Sequence, residues 1–87
     1  MRKFKNVNEL VSTLKPDYPV YCIRPELIKK STEFFKKNFP GKILYAVKTN
    51  PNEKVLKHII NNNIQNFDVA SISEIKLLRK MKADAKL

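Results

Sequence analysis

Cysteine, histidine, glycine and tryptophan are nearly absent from this sequence of 87 residues, which has one Cys, one His, one Gly and no Trp. The single cysteine, Cys22, cannot form an intramolecular disulfide, and one cysteine with one histidine gives no cluster of metal-site spacing. We therefore expect no bound metal and a reducing, cytoplasmic setting. The single glycine, Gly41, leaves no glycine-rich loop that could cradle a phosphate.

Long apolar runs are also missing. No run approaches the roughly 20 residues that a membrane-spanning helix needs. The N-terminus, from Met1 to Asn6, is basic, but no apolar segment of the kind found in a signal peptide follows it. The sequence therefore predicts neither a membrane partner nor an export signal.

Acidic residues are few: 8 Asp and Glu stand against 18 Lys and Arg, which gives a formal net charge of +10. Such a charge suits a nucleic-acid partner. The lysines, however, are spread over three predicted helices at positions complementary to the apolar ones, and no aromatic-basic motif of an RNA-binding sheet occurs. We predict no nucleic-acid partner and keep a small nucleic-acid-binding module as the least favoured alternative.

Periodicity and turn signals divide the chain into a polar lead-in, 1–18, with a short helix near 8–14, and an α/β region, 19–87. Within that region we predict helices at 26–38, 51–63 and 72–82, and strands at 20–23, 43–47 and 66–70. Cys22 would be buried in the first of these strands.

The apolar strand at 43–47 ends in a lysine, Lys48. Because strand side chains alternate, Leu44, Ala46 and Lys48 would share one face. In open α/β sheets and in barrels, the carboxyl ends of the strands carry ligands and catalytic groups. Lys48 is therefore the main candidate for a functional residue.

A second strand–helix unit follows the first with short connections. Asn50 and Pro51 are typical of a helix start, and Ser71 with Glu74 forms a capping box after the strand that contains Asp68. The order strand, helix, strand, helix implies parallel strands. A (β/α)8 barrel takes about 250 residues, so we expect an incomplete barrel and a chain that is part of something longer.

Two motifs resemble one known family. They are Tyr-Ala-Val-Lys-Thr-Asn at 45–50 and Phe-Asp-Val-Ala-Ser at 67–71, followed by Glu74 and Ile75. In order and spacing they resemble the fold-type III decarboxylases that depend on pyridoxal phosphate, the group of ornithine, diaminopimelate and arginine decarboxylases. The second motif looks most like the ornithine decarboxylase branch. The similarity runs over about 18–87.

The resemblance implies a partial TIM barrel of the alanine racemase and ornithine decarboxylase type, with pyridoxal 5'-phosphate as the cofactor. It implies that Lys48 is the Schiff-base lysine and that Asp68 and Ala46 line the cofactor pocket. It also implies a small basic amino acid as substrate, a role in polyamine synthesis and a homodimer.

In this family the strand at 20–23 belongs to a second domain, so it would not pair beside 43–47. The chain by itself is too short for a complete active site, so we expect it to be inactive alone. A non-catalytic homologue that binds a full-length relative is the main alternative.

Overall fold

A computed structural model describes residues 2–87, and Met1 of the predicted lead-in lies outside the described residues. Over this part the chain is α/β, as predicted. The elements are α1 (Val7–Leu14), α2 (Pro25–Asn38), β1 (Leu44–Ala46), a 3-10 turn (Val47–Thr49), α3 (Glu53–Asn61), β2 (Asn66–Asp68) and α4 (Ile72–Met81).

The two strands are parallel, which confirms the prediction from element order. Tyr45 pairs with Phe67 in the register of β1 and β2. A third segment adds to the far side of β2, where Asn66 and Lys86 form a parallel bridge. The Phe67 N–H donates to the Lys86 carbonyl at 2.8 Å. Successive segments of the chain therefore lie side by side in sequence order, as successive strands of a barrel do.

The core lies on one side of this sheet. Phe67, Val47 and Ala85 are buried there against the apolar sides of α3 and α4. Because strand residues alternate and register partners in parallel strands share a face, the opposite face carries a different set of side chains. We call this set the open face; its members are Leu44, Ala46, Asn66, Asp68 and Lys86.

Side-chain caps mark the start of α3 and of α4. At α4 the predicted cap by Ser71 is confirmed, since the Glu74 N–H donates to Ser71 Oγ at 3.1 Å. The reciprocal bond of a capping box differs by one residue, because Glu74 Oε1 accepts from the Ala70 N–H, at 2.9 Å, instead of from the Ser71 N–H. At α3 the predicted cap is wrong by two residues. Asn52, not Asn50, caps the helix, with its Oδ1 accepting from the Lys54 N–H at 2.9 Å.

The predicted strand at 20–23 is not formed, and Cys22 is exposed rather than buried. The segment has no neighbouring strand among residues 2–87 to bond its backbone; Tyr21 is fully exposed, and only Ile23 of the four residues is half-buried. The two strands that do form are shorter than predicted, and each spans three residues.

The helix α1 matches the predicted helix near 8–14, but it buries none of its residues. Val7 and Val11 are each about half exposed. The radius of gyration is 15.2 Å, against about 12 Å for a compact chain of this length, so the molecule is elongated. None of the helices within 2–87 has the length and apolar character needed to cross a membrane.

Candidate functional site

Lys48 lies in the turn that follows β1 rather than on the strand itself. The strand ends at Ala46, and the next three residues form the 3-10 turn Val47–Thr49. The predicted alternation therefore stops at Ala46 and does not determine the direction of Lys48. Within the turn, Val47 is completely buried and Lys48 is exposed. The site thus begins with a lysine at the carboxyl end of a parallel strand, outside the core.

Hydrogen bonds close this turn and explain why the strand ends there. The Thr49 hydroxyl donates to the Ala46 carbonyl at 2.7 Å, and the Asn50 N–H donates to the Val47 carbonyl at 3.2 Å. Asn50 Oδ1 in turn accepts from the Asn52 N–H at 3.2 Å. Asn50 is therefore engaged in the turn, and the capping role at α3 passes to Asn52.

A longer contact joins the strand to the end of the turn. The Tyr45 hydroxyl donates to the Asn50 carbonyl at 3.1 Å. The Tyr45 ring packs against the core, so this bond connects the segment after Lys48 to a fixed part of the fold. Neither Tyr45 nor Thr49 was assigned a role from the sequence. The available signal was the presence of Thr and Asn directly after an apolar strand, since these residues favour local side-chain to backbone bonds.

Asp68 lies beside Ala46 on the open face. The two are register partners, and adjacent strands are about 5 Å apart. Ala46 is half-buried and Asp68 is exposed. The structure therefore brings these two predicted residues together, with Lys48 two residues further along the chain. No ion pair within 4.0 Å among residues 2–87 involves Lys48 or Asp68.

A second lysine, which was not a candidate from the sequence, shares the open face with Asp68. Lys86 is the register partner of Asn66 on the segment next to β2. Asp68 lies two residues further along β2. The Lys86 side chain is exposed. Lys86 is therefore a second candidate for the amine of this site, to be separated from Lys48 by experiment.

Two surface grooves lie elsewhere, and neither is lined by Lys48, Ala46 or Asp68. One, of about 620 Å³, runs between the 21–24 segment and the Thr49–Asn52 connection. The other, of about 470 Å³, separates α2 from β1. A pair of strands presents a flat face, whereas a barrel of eight strands encloses its site. Within residues 2–87, no three His, Cys, Asp or Glu side chains are grouped as metal ligands.

Comparison with known families identifies the chain. The family model described as pyridoxal-dependent decarboxylase, pyridoxal binding domain, matches residues 24–86. This range is well over half of the 87 residues and includes both strands, the turn and helices α2 to α4. The chain belongs to this family. No curated protein and no solved structure matches it.

The family match confirms the fold-type III group of decarboxylases, and the cofactor is pyridoxal phosphate, as the sequence resemblance implied. The match begins at Arg24, whereas the resemblance was expected from about residue 18. Helix α1 and the exposed segment at 20–23 therefore lie outside the matched region.

The residues at the end of β1 fit this cofactor by their chemistry. A lysine amine is the group that binds the aldehyde of pyridoxal phosphate, and that of Lys48 is exposed. Ala46 adds only a methyl group to the open face, which leaves room for a flat ring. Asp68 offers a carboxylate on the same face as Ala46.

Proposed function

We propose that this chain supplies the lysine that binds pyridoxal phosphate in a decarboxylase of a small basic amino acid. Lys48 is that lysine, and Asp68 and Ala46 line the cofactor pocket. Ornithine is the favoured substrate, with lysine and arginine as alternatives, because the segment at 67–71 resembles the ornithine branch. Polyamine synthesis and a homodimeric assembly belong to the same proposal.

One observation carries this proposal more than any other. Ala46 and Asp68 are register partners at the carboxyl ends of adjacent parallel strands, directly before the turn that exposes Lys48. The carboxyl ends of parallel strands are where barrel enzymes keep their functional groups. An amine, a small side chain and a carboxylate thus occur together where a cofactor would be held.

Each residue has a separate task in the proposed mechanism. When bound, pyridoxal phosphate would supply an electron sink for the charge left on the substrate by the loss of CO₂. Lys48 binds the cofactor covalently through its amine and so fixes its position. Asp68 accepts hydrogen bonds and orients polar groups that approach the open face. Val47 and Phe67, both completely buried, keep the two strand ends rigid beneath them.

Borohydride reduction followed by peptide mapping tests the proposal. The 87-residue chain is incubated with pyridoxal phosphate, reduced, and digested, so that a covalently bound cofactor is recovered as a stable secondary amine. We expect most of the label on Lys48 at limiting cofactor, and Lys48→Ala to remove that peptide's label.

Lys54→Ala and Lys86→Ala are the controls for this experiment. Lys54 is exposed on α3, and Lys86 lies on the open face. Neither substitution should change the label on Lys48. Label spread evenly over the lysines, or recovered mainly on Lys86, would refute the assignment of Lys48.

A further inference from the structure

We propose that Tyr45 and Thr49 are positioning residues, which hold the Val47–Thr49 turn so that Lys48 stays outside the core and available to the cofactor. The inference deepens the proposed function of Lys48 and rests on it. It concerns two hydroxyl groups, each of which bonds to a backbone carbonyl across the turn.

The Thr49 hydroxyl restrains the turn at its base. It donates at 2.7 Å to the carbonyl of Ala46, the last residue of β1. Lys48 lies inside the loop that this bond closes. A valine at this position would keep the shape of the side chain and lose the bond, whereas a serine would keep the bond.

The Tyr45 hydroxyl restrains the turn from the other end. It donates at 3.1 Å to the carbonyl of Asn50, and its ring is packed against the core. The strand register fixes the ring further, because Tyr45 is paired with the completely buried Phe67. The Tyr45–Asn50 bond therefore holds both ends of the segment 46–49, one at Tyr45 and the other at Asn50.

Lys48 is the residue that these contacts leave free. Val47 is buried, Thr49 and Asn50 are hydrogen-bonded, and no hydrogen bond or ion pair among residues 2–87 occupies the Lys48 amine. A backbone that is held in place while one side chain is free presents its amine at a lower entropic cost than a mobile loop does. If the Tyr45 and Thr49 hydroxyl bonds served only the stability of the fold, their loss would not change how selectively Lys48 is labelled by the cofactor.

The test compares Thr49→Val, Thr49→Ser and Tyr45→Phe with the unaltered chain. Tyr18→Phe is the matched control, because Tyr18 is 67% exposed and lies outside the turn. Each protein is labelled with limiting pyridoxal phosphate and borohydride, and the label on Lys48 is divided by the label on Lys54. We expect this ratio to fall about fivefold in Thr49→Val and in Tyr45→Phe, the factor typical of one lost hydrogen bond. Thr49→Ser and Tyr18→Phe should keep it.

A second measurement needs no cofactor. Amide hydrogen exchange of Asn50 reports the opening of the turn, since its N–H bonds to Val47. We expect faster exchange of this amide in Thr49→Val and Tyr45→Phe than in Thr49→Ser and Tyr18→Phe. If Tyr45→Phe unfolds the chain, Thr49→Val carries the test, because its bond lies at the exposed turn.

The outcomes separate the two proposals. If the unaltered chain labels Lys48 selectively and the variants do the same, the positioning role is wrong and the proposed function stands. If the unaltered chain shows no selectivity for Lys48, the proposed function fails, and the positioning role fails with it even where exchange is faster. Faster exchange together with a lower labelling ratio, restored in Thr49→Ser, supports both.

Discussion

At the scale of single residues, Lys48 and Asp68 are expected to differ in kind. In the proposed function Lys48 provides the covalent bond to the cofactor, whereas Asp68, on the open face beside Ala46, orients or attracts polar groups. Removing each residue should therefore produce a different failure. The borohydride experiment can distinguish the two residues, because it reports two quantities. One is which lysine carries the label, and the other is the cofactor concentration needed for half-maximal labelling.

For Asp68→Ala we expect the label to stay on Lys48 while the cofactor concentration needed for half-maximal labelling rises about tenfold. The factor corresponds to the loss of one charge-assisted hydrogen bond. Asp17→Ala is the control, since Asp17 is exposed and lies outside the family match. Complete loss of label in Asp68→Ala, or no change at all, would contradict this division of roles.

The choice of Lys48 from the sequence depended on its place after an apolar run, and that part of the reasoning agrees with the structure. The prediction that Lys48 shares a face with Ala46 by strand alternation does not apply, because alternation holds only while the chain is extended and the strand ends at Ala46. Hydroxyl bonds from Thr49 and Tyr45 end the strand early. The Thr49 bond is local and is of the kind that a threonine after an apolar strand favours. The Tyr45 bond depends on the position of the ring in the folded chain, which no periodicity reveals.

At the scale of elements, the end of α3 shows how local backbone chemistry fixes a helix boundary. Asn63 has a positive φ of 67°. The Asn63 N–H donates to the Ile60 carbonyl at 3.0 Å and the Ile64 N–H donates to the Ile59 carbonyl at 3.4 Å, which is the Schellman arrangement. Ile64 is buried next to it, so the ending of the helix also places a core residue.

We expect Asn63→Ala to lower the free energy of unfolding by about 1 kcal/mol, because alanine tolerates a positive φ less well than asparagine. Asn63→Gly should be neutral or slightly stabilising for the opposite reason. Asn61→Ala, within the last turn of α3, is the control for the loss of an amide side chain. Urea denaturation measures all three. A stability of Asn63→Ala above that of Asn63→Gly would contradict the argument.

Helices were easier to predict than strands in this chain, and the reason is physical. A helix satisfies its own backbone, so the apolar periodicity of α2 and the Ser71 cap of α4 were sufficient. A strand needs a neighbour to bond its backbone. The segment at 20–23 has the composition of a strand but no partner among residues 2–87, and it is therefore not one.

At the scale of the whole molecule, the distribution of polar and apolar surface is one-sided. The buried residues lie between the sheet and helices α3 and α4, while the opposite face of the sheet carries polar groups such as Asn66 and Asp68. Helices on one face of parallel strands, with functional groups at the carboxyl ends of those strands, are the arrangement of a barrel. The order of the elements predicted the parallel strands, and the resemblance, which assigns the strand at 20–23 to a second domain, agrees with the lack of packing around α1.

Net charge and exposed apolar side chains act against each other in solution. The chain carries a formal charge of +10, which makes its copies repel one another. It also exposes large apolar residues on several elements, among them Tyr21, Phe34 and Leu44. Repulsion between copies is screened by salt, whereas the attraction between apolar surfaces is not weakened by it.

We therefore expect the chain to associate more strongly as salt is added. The Debye length falls from about 30 Å at 0.01 M salt to about 3 Å at 1 M, while the molecule measures 42 × 31 × 17 Å. Repulsion thus acts across the whole molecule at low salt and is confined to contact distance at high salt. Sedimentation velocity at these two concentrations should show a larger mean mass in 1 M salt.

The variant Phe34→Ser, at a side chain that is 63% exposed on α2, should reduce association at high salt and leave low-salt behaviour unchanged. Thr13→Ser, at an exposed position of α1, is the control, because it removes no large apolar surface. A mean mass that falls with added salt would point instead to contacts between unlike charges, as with bound nucleic acid. A single monomeric species at both concentrations would contradict the prediction.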